Sequence, residues 1–281
     1  MGIINQGKTV MLLALLTALM LGAGQLLGGR TGLTIAIMFA LIMNFGSFWF
    51  SHKIVLAMYR AKPADKKEYK GLHDIVEEVS KEAGIPKPAV YIIPSEAANA
   101  FATGRNPKNA VVACTVGIMK LLSKEELKGV IAHEVSHVKN RDMLVTTIAA
   151  TIAGVISYLA MMAQFAAIFG GGRGRDRGNM FSLIALAIIT PIIAAIIQLA
   201  ISRSREYLAD SSGAKALKNG EPLARALEKL ESSATSNPLR FGSRATSSLF
   251  IVNPFRGGIA GLFSTHPPIA ERAKRLRSMT F

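Results

Sequence analysis

Charge and cysteine are the scarce components of this 281-residue chain. Only 18% of its residues are Asp, Glu, Lys or Arg, against about a quarter in a typical soluble domain. The shortage falls on one sign: 18 acidic residues face 33 basic ones, leaving a formal net charge of +15. A single cysteine, Cys114, excludes a disulfide framework. No glycine period runs through the chain, which excludes collagen. A hydrophobic content of 50% and a mean hydropathy of +0.34 exclude an intrinsically disordered polypeptide. Two classes survive: a membrane protein with basic flanks, or a nucleic-acid binder with a large apolar core.

The distribution of apolar residues separates them. Residues 9–27, 31–51, 143–170 and 179–202 contain no Asp, Glu, Lys or Arg. A bilayer-spanning helix needs about 20 apolar residues, and buried core helices seldom run that far without a charge. Gly28, Gly29 and Arg30 separate the first pair, so residues 1–51 read as a two-helix membrane hairpin. Residues 143–202 read as a second hairpin, although Arg173, Arg175 and Arg177 in its loop oppose the positive-inside rule. Near the segment ends, fifteen Lys and Arg lie on one side and four on the other. Both termini and both polar blocks, 52–142 and 203–281, are therefore expected on the cytoplasmic side of a cell (inner) membrane. The first apolar stretch exceeds the 7–15 residues of a cleaved signal, which points to an anchor. No clustered aromatic–basic motif accompanies the charge, so a lipid bilayer rather than nucleic acid is its expected partner.

In the first polar block, Leu72, Ile75, Val76 and Val79 recur at helical spacing within 65–83, ended by Gly84. Strands are expected at 89–93, 99–104 and 110–119, the last two joined as a hairpin through 104–109. A helix over 124–141 opens with the capping pattern Ser123-x-x-Glu126. In the second block, helical patterning covers 203–218 and 222–235. A polar, Gly- and Ser-rich stretch at 232–264 follows, readable as a surface loop or a mobile flap, and a basic helix begins near Pro268. The expected architecture is mainly α with a small β-sheet, a multi-pass membrane protein whose two polar blocks pack into one head.

The string His133-Glu134-Val135-Ser136-His137 carries the chemistry. Residues four apart share a helix face, so both imidazoles can bind one Zn²⁺. Glu134, turned about 100° from His133, stands beside the metal rather than on it, as a general base requires. Glu206, just past the fourth apolar stretch, offers a third ligand and leaves one position open. Asp210, on the same face as Glu206, can accept the second N–H of a ligating histidine. His266, in a Thr-His-Pro-Pro context, reads equally as a donor to a developing oxyanion or as a turn histidine. His52 and His73 read as structural.

Together, these motifs resemble the HtpX-type membrane zinc endopeptidases. The likeness rests on HEVSH followed by KNRD at 139–142, EYLAD at 206–210, STHPP at 264–268 and NAFATG at 99–104. The CAAX prenyl proteases share the first three motifs but are longer, with more spans. The resemblance implies a cytoplasmic zincin-like catalytic head. His133, His137 and Glu206 would hold one Zn²⁺, with Glu134 as base, Asp210 behind a ligand and His266 as stabiliser. It further implies that β-edge residues starting at Asn99 and Ala100 pair with an extended substrate. The implied role is quality control of misfolded or membrane-associated polypeptides. CAAX-type processing and metal transport are the alternatives. A transporter would place acids or histidines within its spans, and these spans hold none. With basic residues Lys128, Lys139 and Arg141 on or beside the ligand helix, the metal is expected at the membrane surface rather than within the bilayer.

Overall fold

The computed structural model describes residues 2–142, 145, 203–236, 249–252 and 267–281. Helix α1 runs Gly2–Met58, and many of its side chains lie outside the described residues. Gly29 leaves the helical dihedrals, at φ +53°, where the Gly28–Arg30 turn is expected. Among the described residues, no helix is long and apolar enough to cross a membrane. The second apolar pair, 143–202, lies outside the described residues except for Val145, so the membrane reading rests on the sequence.

A four-stranded mixed sheet forms the centre of the first polar block. Its strands are β1 (Lys62–Pro63), β2 (Ala89–Ile93), β3 (Ala100–Thr103) and β4 (Val111–Thr115), in the order β1-β2-β4-β3. β2 runs parallel to β4 from Ala89 opposite Val111 to Ile93 opposite Thr115, and β3 returns antiparallel to β4. Strands two and three match their expected positions. β4 stops four residues early because the Thr115 hydroxyl accepts from the Ile118 N–H and caps helix α3 (Val116–Leu121). The short edge strand β1 has no pattern of its own in the sequence.

Side-chain alternation divides the sheet between two cores. Val90, Ile92, Ala100, Ala102, Val112 and Cys114 face one core, where α2 (Lys70–Ala83) and α4 (Lys124–Asn140) pack. Ile93, Phe101, Val111 and Ala113 face the other, closed by Val55, Leu56 and Tyr59 at the end of α1. Helix α2 begins at Lys70, later than the sequence pattern, because Asp65 Oδ1 accepts the backbone N–H groups of Lys67 and Glu68 and holds a turn. Its exit is Gly84 at φ +71°, a left-handed stop that suits glycine. His73 is structural as expected, its Nε2 lying 3.1 Å from the Ala64 carbonyl.

The second polar block contributes α5 (Arg203–Leu217), α6 (Glu221–Ser236) and α7 (Ile269–Arg277). Helix α4 is the common element: it packs on α2, α5, α6 and β3. The reciprocal Ser123–Glu126 capping box starts it, and Lys229 of α6 reaches Glu126 at 2.8 Å. Arg277 clamps α7 to α6 through Glu221 and Glu228.

Candidate active site

Helix α4 turns its His133 face toward α5. Close approach is possible because Gly213 of α5 lies over the ligand turn. A Cβ there would stand 3.0 Å from the Ala132 carbonyl carbon and the His133 nitrogen. The crossing brings Glu206, in the first turn of α5, to both histidines. His137 Nε2 is 3.5 Å from Glu206 Oε1, His133 Nε2 is 3.8 Å from Oε2, and the two Nε2 atoms are 3.1 Å apart. Two nitrogens and an oxygen bonded tetrahedrally to one ion at about 2.0–2.2 Å stand roughly 3.3 Å from one another. The observed spacing fits one such ion.

Both imidazoles are oriented from behind. His133 Nδ1 lies 2.8 Å from Asp210 Oδ1, and His137 Nδ1 lies 3.3 Å from Asp142 Oδ2. A carboxylate at Nδ1 fixes the proton there and turns the Nε2 lone pair inward. Two Nε2 atoms at 3.1 Å beside a carboxylate suit a shared cation, whether a divalent metal or, without one, the proton that keeps His137 charged. The structure thus brings His133, His137, Glu134, Glu206 and Asp210 into one buried cluster. Glu134 offers no ligand atom to it, and the neighbouring Ala102 backbone N–H favours its charged form. His266 lies outside the described residues. Ala100 begins β3 and Asn99 immediately precedes it, and both are engaged by the protein's own chain.

The model for Peptidase family M48 matches residues 66–280. The chain belongs to peptidase family M48. It is 56% identical over 277 residues to a protein named "Protease HtpX homolog" from Syntrophobacter fumaroxidans, covering 97% of this chain and 98% of that one. A second protein of that name, from Pyrococcus furiosus, is 51% identical over 281 residues, covering 99% and 97%. Among solved structures, S. mikatae Ste24p aligns with a TM-score of 0.54 at 18% identity. That alignment covers 98% of this chain and 66% of that one, and it speaks to the fold alone.

Two residues of this M48 metallopeptidase site escaped the sequence reading. Asp142, which orients His137, follows Arg141, whose left-handed φ of +59° ends α4 and turns the chain. Arg272 is fully buried and grips Asp210 with two bonds, Nε to Oδ2 at 2.8 Å and Nη2 to Oδ1 at 2.7 Å. Its Nη1 stands 3.5 Å from Glu206 Oε2. A signal for Arg272 was present: with Ile269, Ala273 and Leu276 it forms the buried stripe of α7, and a charge on an apolar stripe needs a buried partner.

Burial and charge set the protonation of this cluster. Desolvation pushes Glu134 up to about 8, reinforced by Glu206. Desolvation alone would lower His137, but Asp142, Glu206 and Glu134 carry it up to about 9. Burial would raise Asp210, yet the Arg272 guanidinium and His133 bring it down to about 2. A divalent cation would draw Glu134 back toward its charged form.

Proposed function

We propose that this M48 peptidase is an integral-membrane zinc endopeptidase. It would bind one Zn²⁺ per chain through His133, His137 and Glu206. Its proposed work is quality control, cleaving misfolded or membrane-associated polypeptides at the cytoplasmic membrane surface. The observation that carries the reading is the largely buried triangle of His133 Nε2, His137 Nε2 and a Glu206 carboxylate oxygen, each histidine backed by its own carboxylate. Zinc at such a site supplies Lewis acidity, polarising a carbonyl and acidifying water.

The chain's own groups do the rest. Glu134 has ligands on either side of it in the helix but is not among the cluster's donors. Its carboxylate, beside the Ala102 N–H, is poised to take a proton from water and return it to the departing amine. A base with an upward-shifted pKa suits both halves of that cycle. His266 is the proposed donor to the oxyanion. The +15 charge and the four uncharged stretches support a multi-pass chain with both termini and the head on the cytoplasmic side. A metal transporter is not favoured, since the ligands stand on α4 and α5, outside all four stretches.

The test is cleavage of casein in detergent or lipid, with and without a chelator, by wild type and Glu134→Ala. Loss of cleavage in the chelated enzyme and in the variant is expected. Equal rates for wild type and Glu134→Ala would sink the reading.

A further inference from the structure

A second arginine is buried beside the metal site, this one on α5. Arg205 is 8% exposed. Among the described residues neither its Nη1 nor its Nη2 makes a hydrogen bond, although both are buried. A buried guanidinium requires a counter-charge. Nη1 stands 4.0 Å from Asp142 Oδ1, beyond hydrogen-bond reach but within ion-pair range. Burial works against the charge of Arg205, and Asp142 and Glu206 oppose that loss.

Asp142 connects this arginine to a candidate ligand. Its Oδ2 lies 3.3 Å from His137 Nδ1, while its Oδ1 faces Arg205. The other histidine is held in the same order: His133 Nδ1 meets Asp210, and Asp210 meets Arg272. Each imidazole thus has a carboxylate behind it and an arginine behind that carboxylate. Consecutive residues of α5 address His137 from both sides. Glu206 Oε1 is 3.5 Å from Nε2, and Arg205 reaches the Nδ1 side through Asp142. The two arrangements differ in tightness. Arg272 grips Asp210 with two bonds of 2.8 and 2.7 Å, whereas Arg205 offers Asp142 one contact at 4.0 Å. What Asp142 receives is a point of charge rather than a fork. Asp142 also lies behind His137, away from the Nε2 atoms that converge with Glu206, which argues against a substrate contact for Arg205.

We propose that Arg205 is a positioning residue for His137: it holds the Asp142 carboxylate at Nδ1, and Asp142 aims Nε2 at the metal position. The role rests on the zinc-site reading. A carboxylate at Nδ1 fixes the ring and makes the ligating nitrogen more basic, so loosening it weakens the metal and not only the fold.

Zinc affinity of the full-length protein in detergent, measured by competition with a chromogenic chelator, tests the role. Arg205→Gln is expected to bind zinc about tenfold or more weakly, with a changed visible absorption when Co²⁺ replaces zinc. Arg205→Lys is expected to stay within about threefold of wild type, because an ammonium can replace a single-point contact. In a cycle with Asp142→Asn, the double variant is expected to bind zinc within about twofold of Asp142→Asn alone. That comparison holds even where Arg205→Gln by itself fails to fold, since removing both charges leaves neither one buried alone. A further loss of about tenfold in the double variant would show that Arg205 acts by another route and overturn the proposal. So would a lowered Tm with zinc affinity and Co²⁺ absorption unchanged, which is the mark of a fold clamp. For a fluorogenic casein peptide at saturating zinc, KM is expected to stay within about twofold of wild type. A rise of about tenfold at unchanged zinc affinity would make Arg205 a substrate contact and overturn its positioning role. Zinc held equally well by wild type and Arg205→Gln overturns this role alone; no zinc in wild type overturns the metal reading and the role with it.

Discussion

Replacing Arg272 with Leu gives the sharpest test of how the metal site is supported. The guanidinium is fully buried and makes two short bonds to Asp210, itself 4% exposed. Removing one member of a buried ion pair typically costs about 3–5 kcal/mol, because the other charge is left without compensation. At roughly 2–4 °C per kcal/mol for a folded unit of this size, the melting temperature should fall by about 6–20 °C. Asp210 would lose the cation that holds its carboxyl near 2, so its grip on His133 Nδ1 should loosen. Loss of such an outer partner commonly weakens metal binding by about 10–100-fold. Both effects are measurable on detergent-solubilised protein, by differential scanning fluorimetry and by zinc competition against a chromogenic chelator. Arg272→Lys should recover little, since an ammonium cannot match the two-point grip. The double variant Arg272→Leu with Asp210→Leu decides the interpretation. An apolar pair in place of a buried ion pair is often neutral or stabilising, so its Tm should exceed that of Arg272→Leu alone. If the single variant shifts Tm by less than about 2 °C, or the double variant is the less stable of the two, the reasoning is wrong.

Glu134→Gln should abolish peptide hydrolysis while zinc stoichiometry and Tm in the loaded state stay close to wild type; appreciable residual turnover would remove Glu134 from the chemistry. In chelator-treated protein, stability should fall as pH rises from about 6 to 9. Glu134, raised by burial to about 8, favours the neutral carboxyl and destabilises the fold as it ionises, while the elevated His137 loses its favourable charge through about 9. Thermal melts across that range check the sign, and Glu134→Gln should flatten part of the slope. Gly213→Ala should lower zinc affinity by about tenfold or more even though alanine is the better helix former by roughly 1 kcal/mol. Its Cβ would press on the His133 backbone, so unchanged affinity would show that α5 has room to yield.

The elements most legible in sequence were those with a local cause. The Ser123–Glu126 box, the stripe Leu72–Ile75–Val76–Val79 and the stop at Gly84 each depend on neighbours within a turn or two, and each stands where the pattern placed it. The histidine pair was equally local, a matter of four residues on one helix. Glu206 and Asp210 were reachable because they too share one face, and because a catalytic metal needs a third ligand. The partners that went unread owe their roles to tertiary placement. Asp142 matters only because α4 ends in a left-handed residue that swings it behind His137. The commitment of Asn99 to Val252, 153 residues away, has no local trace at all. Leu249–Val252 sits in a polar stretch that reads as loop, and its four apolar residues acquire meaning only against β3.

The two polar blocks divide the labour unequally. The first supplies the sheet, both histidines, Glu134 and Asp142. The second supplies Glu206, Asp210, Arg272 and the segment Leu249–Val252. Neither half can satisfy its own buried groups: without the second block, His133 and Glu134 would face solvent or an empty cleft; without the first, Asp210 and Arg272 would hold a pair with nothing to orient. The segment between the blocks, 143–202, begins one residue after Asp142 and ends four residues before Glu206. On the proposed ligand set, zinc binding would report assembly of the two blocks as well as local chemistry, because Glu206 meets His133 and His137 only when α5 lies across α4.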